Sequence, residues 1–141
     1  AAAWTHHGMS VLHLVLALVG ALTAHISVNA LNEYYDFASG LDSRTIRTPF
    51  SGGSGTLQAS PEAARSALTV GLTALAITAA IGIYFLFVWG WALLPLGVLG
   101  LVIIVIYTNW ITRSPILCLI TPGLGFGPLM VMGVAFALTG E

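Results

Sequence analysis

The chain has 141 residues, of which 57 % are hydrophobic and 6 % are charged, and its formal net charge is −1. Soluble globular chains carry about 25 % charged residues, so this composition excludes an ordinary soluble domain. The net charge is close to zero and the chain has no lysine, so its charge gives no indication of a nucleic-acid partner. The apolar stretches are too long for strands of a membrane barrel, and they predict an all-α fold, an integral membrane helical bundle.

Each long apolar stretch predicts a membrane-crossing helix, and together they form a single transmembrane domain, 1–141. The predicted ranges are about 9–37, 61–88, 92–111 and 115–139. Ser60 is a good N-cap and Pro61 suits the first helical position of the second helix. The segment 89–91, Trp-Gly-Trp, predicts a turn at the membrane interface. The Gly/Pro-rich segment 122–128 predicts a kink in the fourth helix, although close helix packing also explains its glycines.

The first predicted helix carries a one-sided polar stripe. At 100° per residue, its polar side chains fall within roughly 100° of the helix circumference. The stripe consists of His25, Asn29, Asn32, Glu33 and Asp36. Ionisable groups at membrane depth are costly and rarely face lipid, so the stripe predicts a functional site. The alternative is a helix end that has reached water, where the two carboxylates are merely solvated. His13 lies off the stripe and is predicted to be a packed, hydrogen-bonded histidine.

A Gly/Ser-rich loop, 38–60, follows the stripe. Seven of the nine acidic and basic residues lie between Glu33 and Arg65. A long loop with concentrated charge predicts a functional segment, and a flexible solvated linker is the alternative. If the four helices alternate across the membrane, all the arginines fall on one side, which the positive-inside rule places in the cytoplasm. These are Arg44, Arg47, Arg65 and Arg113.

The stripe and the loop together suit a metal-bound diphosphate. Glu33 and Asp36 lie about one helical turn apart, and Asp42 can fold back from the loop. Carboxylates with carboxamide oxygens are hard ligands that suit Mg²⁺, whose sites commonly include phosphate oxygens. Arg44 and Arg47 offer guanidinium groups that pair well with phosphates. Because apolar helices lie behind this site and could house an isoprenoid tail, the sequence predicts a lipid diphosphate as substrate.

Three aromatic residues beside the stripe have two possible roles. Tyr34, Tyr35 and Phe37 could stabilise an allylic carbocation through their π faces, as aromatic rings do for other cations. They could equally belong to the interfacial aromatic belt. The metal and the arginines would stabilise the charge that builds on the leaving diphosphate.

The segment Asn32–Asp42 resembles the first aspartate-rich motif of the UbiA superfamily of intramembrane prenyltransferases. Acidic residues follow Asn32 after one, four and ten positions, with Ser-Gly before the last. That spacing is most similar to the 1,4-dihydroxy-2-naphthoate prenyltransferase branch and its archaeal relatives. Segments at 47–51, 54–62, 107–108 and 123–129 also resemble this family.

The resemblance implies an enzyme of the prokaryotic cell membrane that uses Mg²⁺. It would transfer a polyprenyl group from an isoprenyl diphosphate donor to an aromatic quinone-precursor acceptor. The resemblance and the chemistry above predict three sets of site residues. The catalytic set is Asp36, Asn32 and Arg47. The metal set is Glu33, Asp36 and Asp42. The diphosphate-binding set is Asn29, Asn32, Arg44 and Arg47.

The sequence departs from the family pattern in two respects. Glu33 stands where the family usually has Asp. Members have about nine membrane helices and a second aspartate-rich motif, which this sequence lacks, so the chain is expected to be partial and inactive alone. The alternatives are a cation-coordinating membrane transport or binding module, or an inactive half-length subunit. Arg47 beside the carboxylates favours the enzyme, because a cation pathway has little use for guanidinium groups.

Overall fold

The protein is described from a computed structural model, which places residues 10–44, 46, 54–111 and 114–140. These residues form helices and turns with no strand among them, and the predicted all-α membrane bundle is confirmed. The α-helices are α1 (Val11–Ala38), α2 (Leu41–Arg44), α3 (Thr56–Ala59), α4 (Ala64–Trp89), α5 (Leu94–Asn109), α6 (Pro115–Leu124) and α7 (Met130–Thr139). Short 3-10 turns, Pro61–Ala63 and Trp91–Leu93, lead into α4 and α5.

Three helical stretches of the described chain are long and apolar enough to cross a membrane. They are Val11–Ala38, Pro61–Trp89 and Ile116–Thr139. The fourth apolar stretch, Trp91–Tyr107, is shorter. At a rise of 1.5 Å per residue, the 16 residues of α5 extend about 24 Å, less than the hydrocarbon core of about 30 Å. The described residues therefore provide three full-length spans and one short apolar helix, where the sequence predicted about four spans.

The start of the second span differs from the predicted capping arrangement. Ser60 precedes the 3-10 turn, but its side chain makes no capping hydrogen bond. The backbone N–H of Ala63 is already bonded to the carbonyl of Ser60, at 3.0 Å. Because this N–H is one that a capping hydroxyl would normally satisfy, the Ser60 side chain is not needed there. Ser60 is thus the N-cap residue and Pro61 the first helical position, as predicted, but the cap has no side-chain hydrogen bond.

The predicted turn and kink are both present. Gly90 ends α4 with a φ of +85°, a conformation that glycine adopts without steric cost. The kink lies in a π-helical segment, Gly125–Leu129, between α6 and α7, where Gly127 has non-helical angles (φ −84°, ψ −105°). Pro128 adds to this break because it has no backbone N–H to donate.

Helices α1 and α4 run antiparallel and pack closely. The buried hydroxyl of Ser27 donates to the carbonyl of Gly71 at 3.0 Å, and the hydroxyls of Thr23 and Thr78 lie 2.8 Å apart. A Cβ at Gly71 would lie 2.7 Å from Cδ2 of Leu31, so only glycine permits this approach. Small residues and hydroxyl hydrogen bonds are the usual means of packing membrane helices. This pairing fixes the face that α1 presents to the other helices.

Candidate functional site

The polar stripe of α1 contains a defined side-chain pair. The amide nitrogen of Asn32 donates to Oδ2 of Asp36 at 2.9 Å, across one turn of the helix. This bond fixes the amide orientation, because two facing oxygens would repel each other. The amide oxygen of Asn32 is buried and has no hydrogen-bond partner among the described residues. A buried oxygen without a donor is a costly arrangement that a bound cation or a ligand donor would relieve.

Two further carboxylates lie around this pair. Gly40, with a φ of +70°, reverses the chain after α1, and Asp42 then follows in the first turn of α2. Asp42 and Glu33 both lie close enough to Asp36 to interact with its carboxylate electrostatically. Three predicted metal-binding carboxylates are therefore neighbours. Within the described ranges, however, no three Asp, Glu, His or Cys side chains converge on one metal position.

The end of the long loop returns to these carboxylates. Residues 54–58, here called the loop arm, contact the site through two side chains. The hydroxyl of Ser54 donates to Oε1 of Glu33, and the amide of Gln58 donates to Oδ2 of Asp42 at 3.0 Å. Leu57, 2 % exposed, anchors the arm in the interior. Each of these two carboxylates is therefore held by one hydrogen bond from the arm.

The loop arm was not among the predicted site residues. Ser54 and Gln58 lie in the segment 54–62, and the resemblance of that segment to the family is the sequence feature that could have identified them. The loop has no periodic pattern that would place either side chain against a carboxylate. The region predicted as a loop, 38–60, also contains two single-turn helices, α2 and α3.

The other predicted site residues either make different contacts or lie outside the described residues. The amide of Asn29 donates to the backbone carbonyl of His25 in its own helix, at 2.8 Å. Arg44 is exposed in the last turn of α2 and forms no ion pair within the described part of the chain. Arg47 lies outside the described residues. The structure thus brings Asn32, Glu33, Asp36 and Asp42 together.

A cavity of about 600 Å³ extends from the stripe into the bundle. Helices α1, α4, α5, α6 and α7 all line it, and most lining side chains are apolar. Its polar lining residues are His25, Asn29, Asn32, Thr78, Tyr107 and Thr121. Asn32 and Tyr107 lie at the end of the cavity nearest the carboxylates, here called the mouth, and Tyr107 lies close enough to interact with the Asp36 carboxylate. The mouth is therefore polar and adjoins carboxylates, while the body of the cavity is apolar.

The aromatic residues beside the stripe differ in their relation to this cavity. Tyr34 and Tyr35 pack edge to face, with ring centroids 5.2 Å apart, and neither lines the cavity. Tyr107 does line it, and the sequence indicated this residue only through the resemblance of segment 107–108 to the family. His13 is also away from the polar mouth, and it packs against Tyr84, Phe85 and Trp89 with centroid distances of 5.5–6.0 Å.

The donor set at the mouth is chemically suited to a hard divalent cation. It consists of carboxylate oxygens and a carboxamide oxygen, with no sulfur ligand. Asp36 and the unpartnered oxygen of Asn32 are adjacent, and Mg²⁺ typically needs only one or two carboxylates besides water and phosphate oxygens. Ser54 and Gln58 engage one oxygen each of Glu33 and Asp42, so the other oxygen of each carboxylate would be the one to bind the same ion.

Comparison with known proteins gives one match. The model described as the UbiA prenyltransferase family matches residues 1–141. No curated protein and no solved structure matches the chain significantly. The match includes the stripe, the loop arm and every helix that lines the cavity.

Proposed function

The chain belongs to the UbiA prenyltransferase family, whose members transfer prenyl groups to aromatic acceptors in the membrane, and from this premise we propose a specific reaction for it. The protein transfers a polyprenyl group from an isoprenyl diphosphate to an aromatic quinone precursor, with Mg²⁺ at the carboxylates of α1 and α2.

The observation that supports this proposal is the polarity of the cavity. An isoprenyl diphosphate has an anionic head and a long apolar tail. The cavity is polar at its mouth, beside Asn32 and the carboxylates, and apolar along its length. Carboxylates alone would repel a diphosphate, so a cation must lie between them. Family members generally use a divalent metal ion, and the oxygen donors at the mouth fit one.

The proposed roles follow from these positions. Asp36 and Asn32 would hold the ion, which would supply positive charge to stabilise the diphosphate. Arg44, and Arg47 beyond the described residues, are proposed to contact the diphosphate from the loop side, because guanidinium groups bind phosphate oxygens in pairs. The donor C–O bond breaks with its electron pair leaving on the diphosphate. The acceptor ring carbon forms the new C–C bond and then loses a proton.

The transport alternative is less well supported by this cavity. A cation pathway needs polar ligands along its length, since ions are costly to move through apolar surroundings. Beyond the mouth, the lining is almost entirely aliphatic, aromatic or glycine. An apolar tail suits this lining better than a hydrated ion. The half-length subunit alternative is excluded if the reading frame continues past Glu141 into a second Asn/Asp-rich motif.

Replacement of Asp36 tests the proposal directly. In the full protein in lipid nanodiscs, Asp36→Ala should lower prenyl transfer at least a hundredfold, because the residue is central among the carboxylates. Mg²⁺-dependent binding of geranylgeranyl diphosphate should fall with it, and chelation by EDTA should abolish the same binding in the unaltered protein. Yield and membrane insertion should stay the same.

Glu62→Ala is the matched control, since Glu62 is an exposed carboxylate at the start of the second span. It should keep normal turnover and donor binding. Normal turnover by Asp36→Ala would exclude a role for Asp36 in the mechanism. Donor binding that is unchanged by EDTA would exclude a role for the metal ion.

A further inference from the structure

We propose that the loop arm positions two of the carboxylates at the mouth and so raises the affinity of the site for its cation. Ser54 holds one oxygen of Glu33 and leaves the other oxygen for the ion. Gln58 does the same for Asp42. This inference rests on the proposed function, because it concerns the same metal site. It gives a positioning role to two residues outside the predicted site.

The arm joins two carboxylates that belong to different helices. Glu33 lies on α1, and Asp42 lies on α2, beyond the chain reversal at Gly40. Both carboxylates lie close enough to Asp36 to interact with it electrostatically. Like charges this close repel each other, so side chains without a tether would turn apart. A five-residue segment that bonds to both of them limits this movement.

The hydrogen bond from Ser54 to Glu33 has a fixed direction. A serine hydroxyl has one proton to donate, and an ionised carboxylate can only accept, so the proton of Ser54 is directed at Glu33. The oxygen of the same hydroxyl accepts from the backbone N–H of Thr56 at 3.0 Å. Donation to this oxygen strengthens the bond that its own proton makes. The backbone of the arm therefore holds Ser54 in the orientation that reaches the carboxylate.

A buried leucine anchors the arm. Ser54 and Gln58 are both exposed, so water competes for their hydrogen bonds, and those bonds alone would not order the segment. Leu57 is 2 % exposed and lies beside Gln58 in the single-turn helix α3. Gly55, with a φ of +73°, turns the chain between Ser54 and this helix. Burial of the leucine thus holds both donors at the carboxylates.

The two carboxylates differ in how much they need to be held. The side chain of Glu33 has one more rotatable bond than that of Asp42, so it has more conformational freedom to lose when it binds an ion. A hydrogen bond from the arm removes part of that freedom before binding. Ligands that are already held in place bind more tightly, because less entropy is lost in the binding step. Ser54 should therefore contribute more to the ion affinity than Gln58.

The test measures Mn²⁺ binding to the full protein in nanodiscs, by electron paramagnetic resonance and with inorganic diphosphate present. Ser54→Ala and Gln58→Met should each weaken Mn²⁺ binding at least threefold, and Ser54→Ala should have the larger effect. Ser54→Thr keeps the hydroxyl and should bind Mn²⁺ within twofold of the unaltered protein. Ser60→Ala is the matched control, because the Ser60 side chain makes no capping hydrogen bond. It should also stay within twofold.

The Mg²⁺ dependence of prenyl transfer separates positioning from a merely structural role. Ser54→Ala should need at least threefold more Mg²⁺ for half-maximal turnover, and its rate at saturating Mg²⁺ should stay within twofold of normal. A lower rate at every Mg²⁺ concentration, with unchanged Mn²⁺ binding, would overturn the inference. Tighter Mn²⁺ binding in Ser54→Ala or Gln58→Met would overturn it as well, because the arm would then compete with the ion.

A double variant tests whether Ser54 acts through Glu33. In a Glu33→Ala background, Ser54→Ala should weaken Mn²⁺ binding by less than twofold further, because the carboxylate that it holds is gone. A further loss of threefold or more would show that Ser54 acts elsewhere, and would overturn its positioning role.

Asp36→Ala distinguishes failure of this inference from failure of the proposed function. It should weaken Mn²⁺ binding at least tenfold, whatever the arm contributes. If it does so while Ser54→Ala and Gln58→Met bind Mn²⁺ normally, the positioning role is overturned and the proposed function stands. If Asp36→Ala binds Mn²⁺ normally, the metal site itself is refuted.

Discussion

At the scale of single residues, Asn32 is held in a position that costs stability. Its amide nitrogen is bonded to Asp36, but its buried oxygen has no partner within the described residues. Such a group costs about 1–3 kcal/mol when it is left unsatisfied. Residues that are kept in unfavourable surroundings are commonly those that bind something else, here the proposed cation.

Replacement of Asn32 should therefore separate stability from binding. Asn32→Leu removes both the unpaired oxygen and one hydrogen bond, so the free energy of unfolding should change by less than about 1 kcal/mol. Mg²⁺-dependent binding of inorganic diphosphate should fall at least tenfold, because an oxygen ligand is lost. Thermal unfolding in detergent and a Mg²⁺ titration provide the two measurements.

Asn32→Asp is the matched variant for that experiment. It keeps an oxygen ligand but places a second carboxylate beside Asp36, and like charges at this spacing repel. Its melting temperature should therefore rise more with Mg²⁺ than that of the unaltered protein. Equal loss of diphosphate binding in both variants would mean that Asn32 acts through packing and not as a ligand.

At the scale of the elements, the contact between α1 and α4 depends on one glycine. A Cβ at Gly71 would lie 2.7 Å from Cδ2 of Leu31 and 3.2 Å from its backbone nitrogen. The side chain could turn away, but the backbone cannot move without separating the helices. The hydrogen bond from Ser27 to the Gly71 carbonyl would be lost as well.

Gly71→Ala should consequently destabilise the protein by about 1–3 kcal/mol, the usual cost of overpacking. Gly82→Ala is the control on the same helix, because its added Cβ meets nothing within 4 Å. Alanine favours helix over glycine by about 1 kcal/mol, so this control should be neutral or stabilising. Unfolding by denaturant in detergent gives both values. A neutral Gly71→Ala would show that the two helices tolerate a wider separation.

Comparison of sequence and structure shows which elements were predictable. The stripe, the turn at Gly90 and the kink at Gly127 follow from local rules, namely helical periodicity and the properties of glycine and proline. The loop arm was not predictable, because the bonds from Ser54 to Glu33 and from Gln58 to Asp42 join residues that no local pattern relates. The cavity could not be predicted from local rules either, since side chains from α1, α4, α5, α6 and α7 line it together.

At the scale of the whole molecule, the charged side chains that the structure describes lie at the same end of the bundle as the site. The carboxyl end of α1 and the amino end of α4 meet there, since these helices are antiparallel. Arg44 and Arg65 are exposed at that end. The segment 89–91 lies at the opposite end and has no charged residue. The positive-inside rule then predicts that the mouth opens towards the cytoplasm.

Cysteine labelling tests this orientation. The background variant is Cys118→Ala, because Cys118 is the free cysteine of the chain and would otherwise react. In that background, Arg44→Cys should react with a membrane-impermeant maleimide in inverted vesicles and not in intact bacterial cells. Trp91→Cys, at a position that is 79 % exposed at the other end, should show the reverse pattern. A donor made in the cytoplasm reaches the carboxylates directly only in this orientation. Labelling of Arg44→Cys in intact cells would therefore reverse the assignment and would require the diphosphate head to arrive from the outer face.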